Sequence, residues 1–236
     1  MIRSLFLIIM ATGLLSNTTK EDVKTYTVRK LQGKEKEIVV TGKGDDPQWE
    51  NATELTDFIY PWEKETPSFT SFKALHSKDW LYLLYNVKDD HINVLVKTNE
   101  KAEVISSDRV EIFFRKDDQM LPYYGLEMDP NGRVYDYMAE FHRKFTPAWS
   151  WPAGDLIIKA NKVADGYTVE VAISKKSLKQ LGLIKGKLIE AGIYRGDCVE
   201  ITADNSKIKW ISWVRPDSPT PNFHIPSSFG VLKIEE

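Results

Sequence analysis

Over residues 106–130 the chain reads SSDRVEIFFRKDDQMLPYYGLEMDP, and its apolar positions alternate with a period of two on either side of a charged loop. Val110, Ile112 and Phe114 fall on one face of the first segment, with Glu111, Phe113 and Arg115 on the other. Tyr124, Leu126 and Met128 alternate in the same way with Tyr123, Gly125, Glu127 and Asp129. This pattern predicts a half-buried antiparallel pair. Setting Arg115 opposite Tyr123 places Glu111 opposite Glu127 on the face away from the core. Like charges opposed on a sheet are destabilising by a few tenths to about 1 kcal/mol. The pair therefore needs a cation, an Arg or Lys, or the hydroxyl groups of a ligand, which makes it the first site candidate.

The same reading along the chain gives many short strands. Residues 71–75 and 80–87 predict a hairpin whose second strand, WLYLLYNV, is apolar on both faces and so belongs inside its sheet. Short strands follow at 92–96 and 133–137, the latter after the turn dipeptide Asn131-Gly132. Residues 156–162 and 167–173 predict a hairpin across Ala164-Asp165-Gly166, and 188–195, 209–214 and 230–234 predict the closing strands. One helix is predicted, over 174–181, capped by Ser174 and ended by Gly182. Regularly spaced strands with one short helix predict an all-β fold, an antiparallel β-sandwich of jelly-roll-like type. Domain organisation follows: 1–16 a signal peptide, 17–36 a polar spacer or edge strand with a β-like piece at 25–28, and 37–236 a single β-sandwich domain.

The expectation for 1–16 rests on Arg3 followed by an apolar run too short to span a bilayer, with Ser16 as the small residue for cleavage. No Cys follows that run, so a lipoprotein anchor is not supported, and the one Cys, Cys198, permits no intrachain disulfide. Export to a periplasmic or extracellular space, with no membrane span in the mature chain, is the consequence. A formal net charge of −2 argues against nucleic acid as a partner. Seven Trp and ten Tyr supply flat aromatic faces suited to sugars as well as core filling.

No catalytic motif emerges: the chain has neither a Gly-rich phosphate loop nor a G-x-S-x-G, and His76, His91, His142 and His224 lack metal spacing. No cofactor is required by the sequence. Asp45, Asp46, Asp89 and Asp90 lie in loops, so a structural calcium ion is the one metal worth testing. Glu111 and Glu127 also offer the two carboxyls of a glycoside hydrolase, but that chemistry needs one raised pKa. A strand flanked by Arg109, Arg115 and Lys116 does not predict such an environment. In the C-terminal stretch WISWVRPDSPTPNFHIPSSFG, four prolines restrain a loop presenting Phe223 and His224, an arrangement suited either to stacking on a pyranose or to plugging the end of the sandwich. Trp213, at the mouth of that loop, is a further stacking candidate.

Taken in order, SFKALHSKDWLYLLYNVKD, SDRVEIFF, YYGLEMDPNG, DGYTVEVAIS with LGL, AGIYRGD and WISW…PNFHIPSSFGVLKI resemble carbohydrate-binding module family 9, in particular stand-alone family-9-like proteins of the Bacteroidetes. The resemblance runs over about 43–234. It implies a non-catalytic β-sandwich that binds glycans, often at their ends, supports polysaccharide breakdown beside glycan-degrading enzymes, and carries structural calcium in some members. It places Glu111 at the sugar-contacting Glu of a D-x-V-E strand. Glu127 falls where the best-known members have Arg, which implies a different ligand. Tyr194 and Arg195 fall on a strand lending polar contacts, and Phe223 at a stacking Trp. The second stacking aromatic falls on Ile105, so Trp62, Trp149 or Trp151 would have to supply that face. The carbohydrate-site set is Glu111, Glu127, Tyr194, Arg195, Trp213, Phe223 and His224. The alternatives are hydrolysis by Glu111 and Glu127, or a structural module of a surface complex.

Overall fold

The computed structural model describes residues 23–33, 37–202 and 205–236. The signal-peptide segment and part of the 17–36 segment lie outside the described residues. Strand β1 (Thr25–Lys30) is followed by a 3-10 turn over Pro47–Asn51, which Asp46 caps by accepting from the Gln48 amide. The hairpin β2 (Thr70–His76) and β3 (Trp80–Lys88) comes next, then β4 (Arg109–Arg115) and β5 (Tyr123–Met128). After β6 (Val134–Glu140) and β7 (Lys144–Thr146), a second hairpin is formed by β8 (Leu156–Val163) and β9 (Gly166–Ser174). Helix α1 (Lys175–Gln180) begins at Ser174, whose hydroxyl accepts from the Lys176 and Ser177 amides. The chain closes with β10 (Ile184–Lys185), the long β11 (Leu188–Ile201), β12 (Ser206–Ser212) and β13 (Gly230–Ile234).

Hydrogen bonding links the strands in the order β7-β6-β5-β4-β11-β13-β1-β2-β3-β9-β8, with β10 and β12 both pairing with β11. The ladders are antiparallel except where β1 runs parallel to both β13 and β2. The 25–28 piece is therefore an interior seam joining the two halves, not an edge strand. The halves face each other across one core, in which Val110, Ile112, Phe114 and Leu126 meet Phe72, Leu83, Tyr85 and Val171. The Tyr85 hydroxyl crosses between the layers to the Glu111 carbonyl (3.1 Å). Residues 92–96 form no strand: their backbone is spent on side chains, Asn93 N–H on Asp108 (2.6 Å) and Leu95 N–H on Ser107 (2.9 Å).

Each half is also covered on its outer face, which is why β4 and β5 are buried along their whole length. Ile38 and Trp49 cover Tyr82 and Leu84 on one side. On the other, Phe223 and Phe229 from the C-terminal loop cover Phe113, Tyr123, Tyr137 and Tyr194. Two glycines make room for this second layer. A Cβ at Gly192 would land on the Tyr194 hydroxyl, and one at Gly125 on the Tyr137 ring. Tyr194 is pinned under Phe223, so it has nowhere to move. Gly192→Ala is accordingly expected to cost about 1–3 kcal/mol by overpacking, read as a lower urea midpoint at unchanged m. An unchanged midpoint would mean that the Tyr194 ring is free to swing out.

Candidate functional site

The predicted register is the observed one, with Arg115 opposite Tyr123 and Glu111 opposite Glu127. One row continues from Ser212 through Tyr194, Glu111 and Glu127 to Tyr135, and the adjacent row holds Trp210, Gly196 and Arg109. Side chains two residues apart share a face, so Arg109 lies beside both carboxylates. Its Nε donates to Glu127 Oε2 (2.7 Å) and sits 2.8 Å from Glu111 Oε1, while Nη1 donates to the Ile105 and Ser107 carbonyls. Arg109 also lies over the Trp210 ring at 5.1 Å. The compensating cation is thus Arg109.

Nε carries a single hydrogen, and Glu127 takes it. Glu111 Oε1 is consequently buried without a hydrogen-bond partner. Burial first, then the Glu127 carboxylate, raise the Glu111 pKa against the pull of Arg109. This corrects the expectation drawn from the flanking cations: burial outweighs them. An orphaned buried acceptor of this kind costs about 1–3 kcal/mol, more if charged.

Above this floor is a pocket of about 50 Å³ open to solvent, walled by Trp210, Phe223, His224, Asn222 and Arg143. The loop forming its roof is fixed at many points. Tyr194 donates to Ser228 Oγ (2.8 Å), whose hydroxyl reaches the Phe223 carbonyl (2.6 Å). Arg115 donates to the Pro226 carbonyl (2.9 Å), and Trp62 Nε1 to the Ser218 carbonyl (2.8 Å). His224 stacks on Phe113 (5.1 Å, 24°), and its Nδ1 bonds the Tyr123 hydroxyl (2.9 Å). Burial, helped by Arg143, His142 and Arg109, holds the His224 imidazole down to about 3, so the ring is neutral at neutral pH.

The structure brings Glu111, Glu127, Phe223 and His224 into this pocket. Phe223 enters with one ring face already stacked on Tyr194 (4.1 Å, 12°) and Trp62 tilted against it (5.4 Å, 41°). It builds the wall and presents no open stacking face. Tyr194 is fully buried beneath it. Arg195 and Trp213 lie away from this pocket. Arg195 alternates with Tyr194 on β11, so it points to the other side, where it bonds Ser68 (2.6 Å), Asp89 (2.8 Å) and Asp197 (3.3 Å). Trp213 packs in the inter-sheet core, as do Trp149 and Trp151 at its margin. Among the pocket residues that sequence reasoning passes over, two lie on strands, Arg109 and Trp210, and two in loops, Asn222 and Arg143; the strand pair was within reach. Period two marks both, since Arg109 shares parity with Glu111, and Trp210 has the opposite parity to Trp213.

The loop acids offer little to a calcium ion. Asp45 accepts from Thr41 Oγ1 (2.9 Å) and Asp46 caps its turn, so neither joins a cluster. Among the described residues, Asp89, Asp108 and Asp197 offer oxygens within 4.8 Å of one another. Arg195 already bridges Asp89 and Asp197, while Asp108 accepts from the Cys198 and Asn93 amides (2.7 and 2.6 Å) and burial pushes its pKa up to about 7. Calcium takes six to eight oxygens. A guanidinium-centred ion network does not fit that requirement.

The fold and this pocket define a β-sandwich with a charged, aromatic-walled recess on one outer face. Residues 40–236 match the family described as carbohydrate family 9 binding domain-like, and the chain belongs to that family. Among solved structures it is similar to a protein of Bacteroides uniformis described provisionally as carbohydrate-binding, at 17% identity and TM-score 0.70, over 91% of this chain and 100% of that one. It is also similar to a family 9 carbohydrate-binding module of Caldicellulosiruptor kristjanssonii, solved in complex with cellotriose (19% identity, TM-score 0.58, 90% and 94% covered) and with glucose (21%, 0.56, 90% and 96%). At these identities the likeness shows the fold. A search of curated proteins finds no match. Among the described residues no helix is long and apolar enough to cross a membrane.

Proposed function

We propose that the recess over Glu111 and Glu127 binds one end of a glycan chain and performs no chemistry on it. The observation carrying this reading is a solvent-open pocket floored by two carboxyls, Glu111 and Glu127, the first with a buried oxygen that accepts no hydrogen bond. A sugar hydroxyl donating to the Glu111 carboxyl adds a hydrogen bond to this under-satisfied group, worth about 0.5–1.5 kcal/mol net. A water-sized group takes about 10–15 Å³, so 50 Å³ suits the hydroxyls at a chain end and not a threaded polymer. Glu127, Asn222, Arg143 and the free nitrogen of neutral His224 surround the same space, and Trp210 supplies the apolar wall. Against hydrolysis, the two carboxyls converge on a single buried Arg109 nitrogen, which engages both of the groups that an acid and nucleophile pair would need free.

We further infer an exported protein that holds glycan for degrading enzymes, supported by the apolar run within 1–16. No metal is needed for binding, because Arg109 and Arg195 already serve the two acidic groups. The test is affinity electrophoresis against plant and host polysaccharides, with reducing ends assayed in parallel and each run repeated in calcium and in chelator. Retardation without new reducing ends, unaltered by chelation, is expected. Release of reducing ends that vanishes in Glu127→Gln would establish a hydrolase instead. A co-purifying protein partner with no glycan bound would establish a structural module.

A further inference from the structure

A second recess lies in the other half of the sandwich and shares no residue with the first. Trp80 opens β3 opposite Ser174, the residue that caps α1. The turn before β3 and the start of α1 are tied by Lys175 N–H on the Asp79 carbonyl (2.8 Å). The recess between them has a volume of about 540 Å³, within the roughly 300–1,000 Å³ of ordinary ligand sites. Lys78, Lys175, Lys176 and Lys179 line it, against the single acid Asp79.

Lys175 is the fixed member, its ammonium bonded to the Ser77 carbonyl (2.6 Å) and to His76 Nδ1 (2.8 Å). Lys78, Lys176 and Lys179 are exposed, and no described residue forms a salt bridge with any of them. Burial, then the fields of Lys179 and Lys30, hold Lys175 down to about 8 in spite of Asp79 and Glu37. Four lysines against one acid thus leave an excess of positive charge along this lining, on a chain whose net charge is −2. Trp80, partly buried among these ammoniums, contributes an aromatic surface.

We propose that this recess is a second glycan site, selective for an anionic polysaccharide bearing carboxylate or sulfate groups. A pyranose ring has an apolar face to lay on an indole and acidic substituents at its rim for the lysines. The concave shape favours a polymer seated in the groove over a flat lipid surface. Lysine ammoniums act as adaptable point charges, which suits substituents spaced irregularly along a chain.

The experiment is affinity electrophoresis in gels containing polygalacturonate, heparin or a neutral β-glucan, at low and high salt. The parent should be retarded by polygalacturonate or heparin, and high salt should weaken this, because exposed charges are screened. Lys176→Glu with Lys179→Glu, both on the surface, should weaken it at least about tenfold without changing the melting temperature. Trp80→Leu should weaken it while leaving retention on polyphosphate, which has no sugar face, unchanged. Glu111→Gln should leave it unaltered, so that failure of either site is seen separately. No retardation of the parent by either anionic polysaccharide would overturn the proposal. So would retardation indifferent to the lysine reversals, or equal capture by polyphosphate and phosphatidylserine vesicles.

Discussion

Arg109→Met is expected to destabilise the protein by about 3–5 kcal/mol, the usual consequence of removing one member of a buried charge cluster. Arg109 is buried, and the Glu111 and Glu127 carboxylates both converge on its Nε. Without it, two opposed carboxylates remain in a low-dielectric layer, and the Ile105 and Ser107 carbonyls lose their donor. The electrostatic part has a pH signature. Glu111, already raised in the parent by burial and by Glu127, loses in the variant the one neighbour that lowers it. Stability is then retained below the unfolded carboxylate range and lost as pH rises. The deficit against the parent, measured by urea unfolding, should be smaller at pH 4 than at pH 8. An equal deficit at both would show that Arg109 matters through packing alone.

Glu111→Gln should do the opposite to stability while removing function. In the parent, burial and Glu127 raise the Glu111 pKa above its ordinary value of 4.5. A group raised in the folded state contributes its stability below the unfolded pKa and loses it as pH increases. Glutamine cannot ionise, so the variant should gain on the parent progressively as pH rises above 4.5. Arg109 stays paired with Glu127 in the variant, so no buried cation is abandoned. Calorimetric melting at pH 5 and pH 8 reads this directly: the two proteins should diverge toward alkaline pH. A variant less stable at every pH would show that Arg109 neutralises Glu111 fully. The carboxylate is retained, on this account, because a ligand needs it, a common way for a binding site to cost stability.

The strand pattern made most of the fold legible, since the β4–β5 register, the helix cap at Ser174 and the closing strand Gly230–Ile234 all follow from periodicity and capping chemistry. What it left open has physical reasons. Residues 92–96 carry β-forming side chains, but Asp108 and Ser107 compete successfully for their amides. Tyr194 and Arg195 both match family site positions, but neighbours on a strand face opposite ways, so only one of them can face the outer side of the sheet. Trp210 and Arg109 were recoverable by parity alone. Asn222 and Arg143 were not, because loop positions carry no periodicity and become neighbours only when the roof closes over the sheet. Phe223 illustrates the same limit: the prolines indicated a fixed ring, and only packing decided that Tyr194 takes one of its faces.

The most direct test of the account is a glycan array probed with the parent and with Glu111→Gln side by side. The parent should bind a set of glycans sharing one terminal residue, and the variant should lose at least about tenfold of that affinity, the equivalent of one hydrogen bond to the carboxyl, while melting no lower at pH 8. A parent that binds no glycan, or a variant that binds as tightly as the parent, would contradict it.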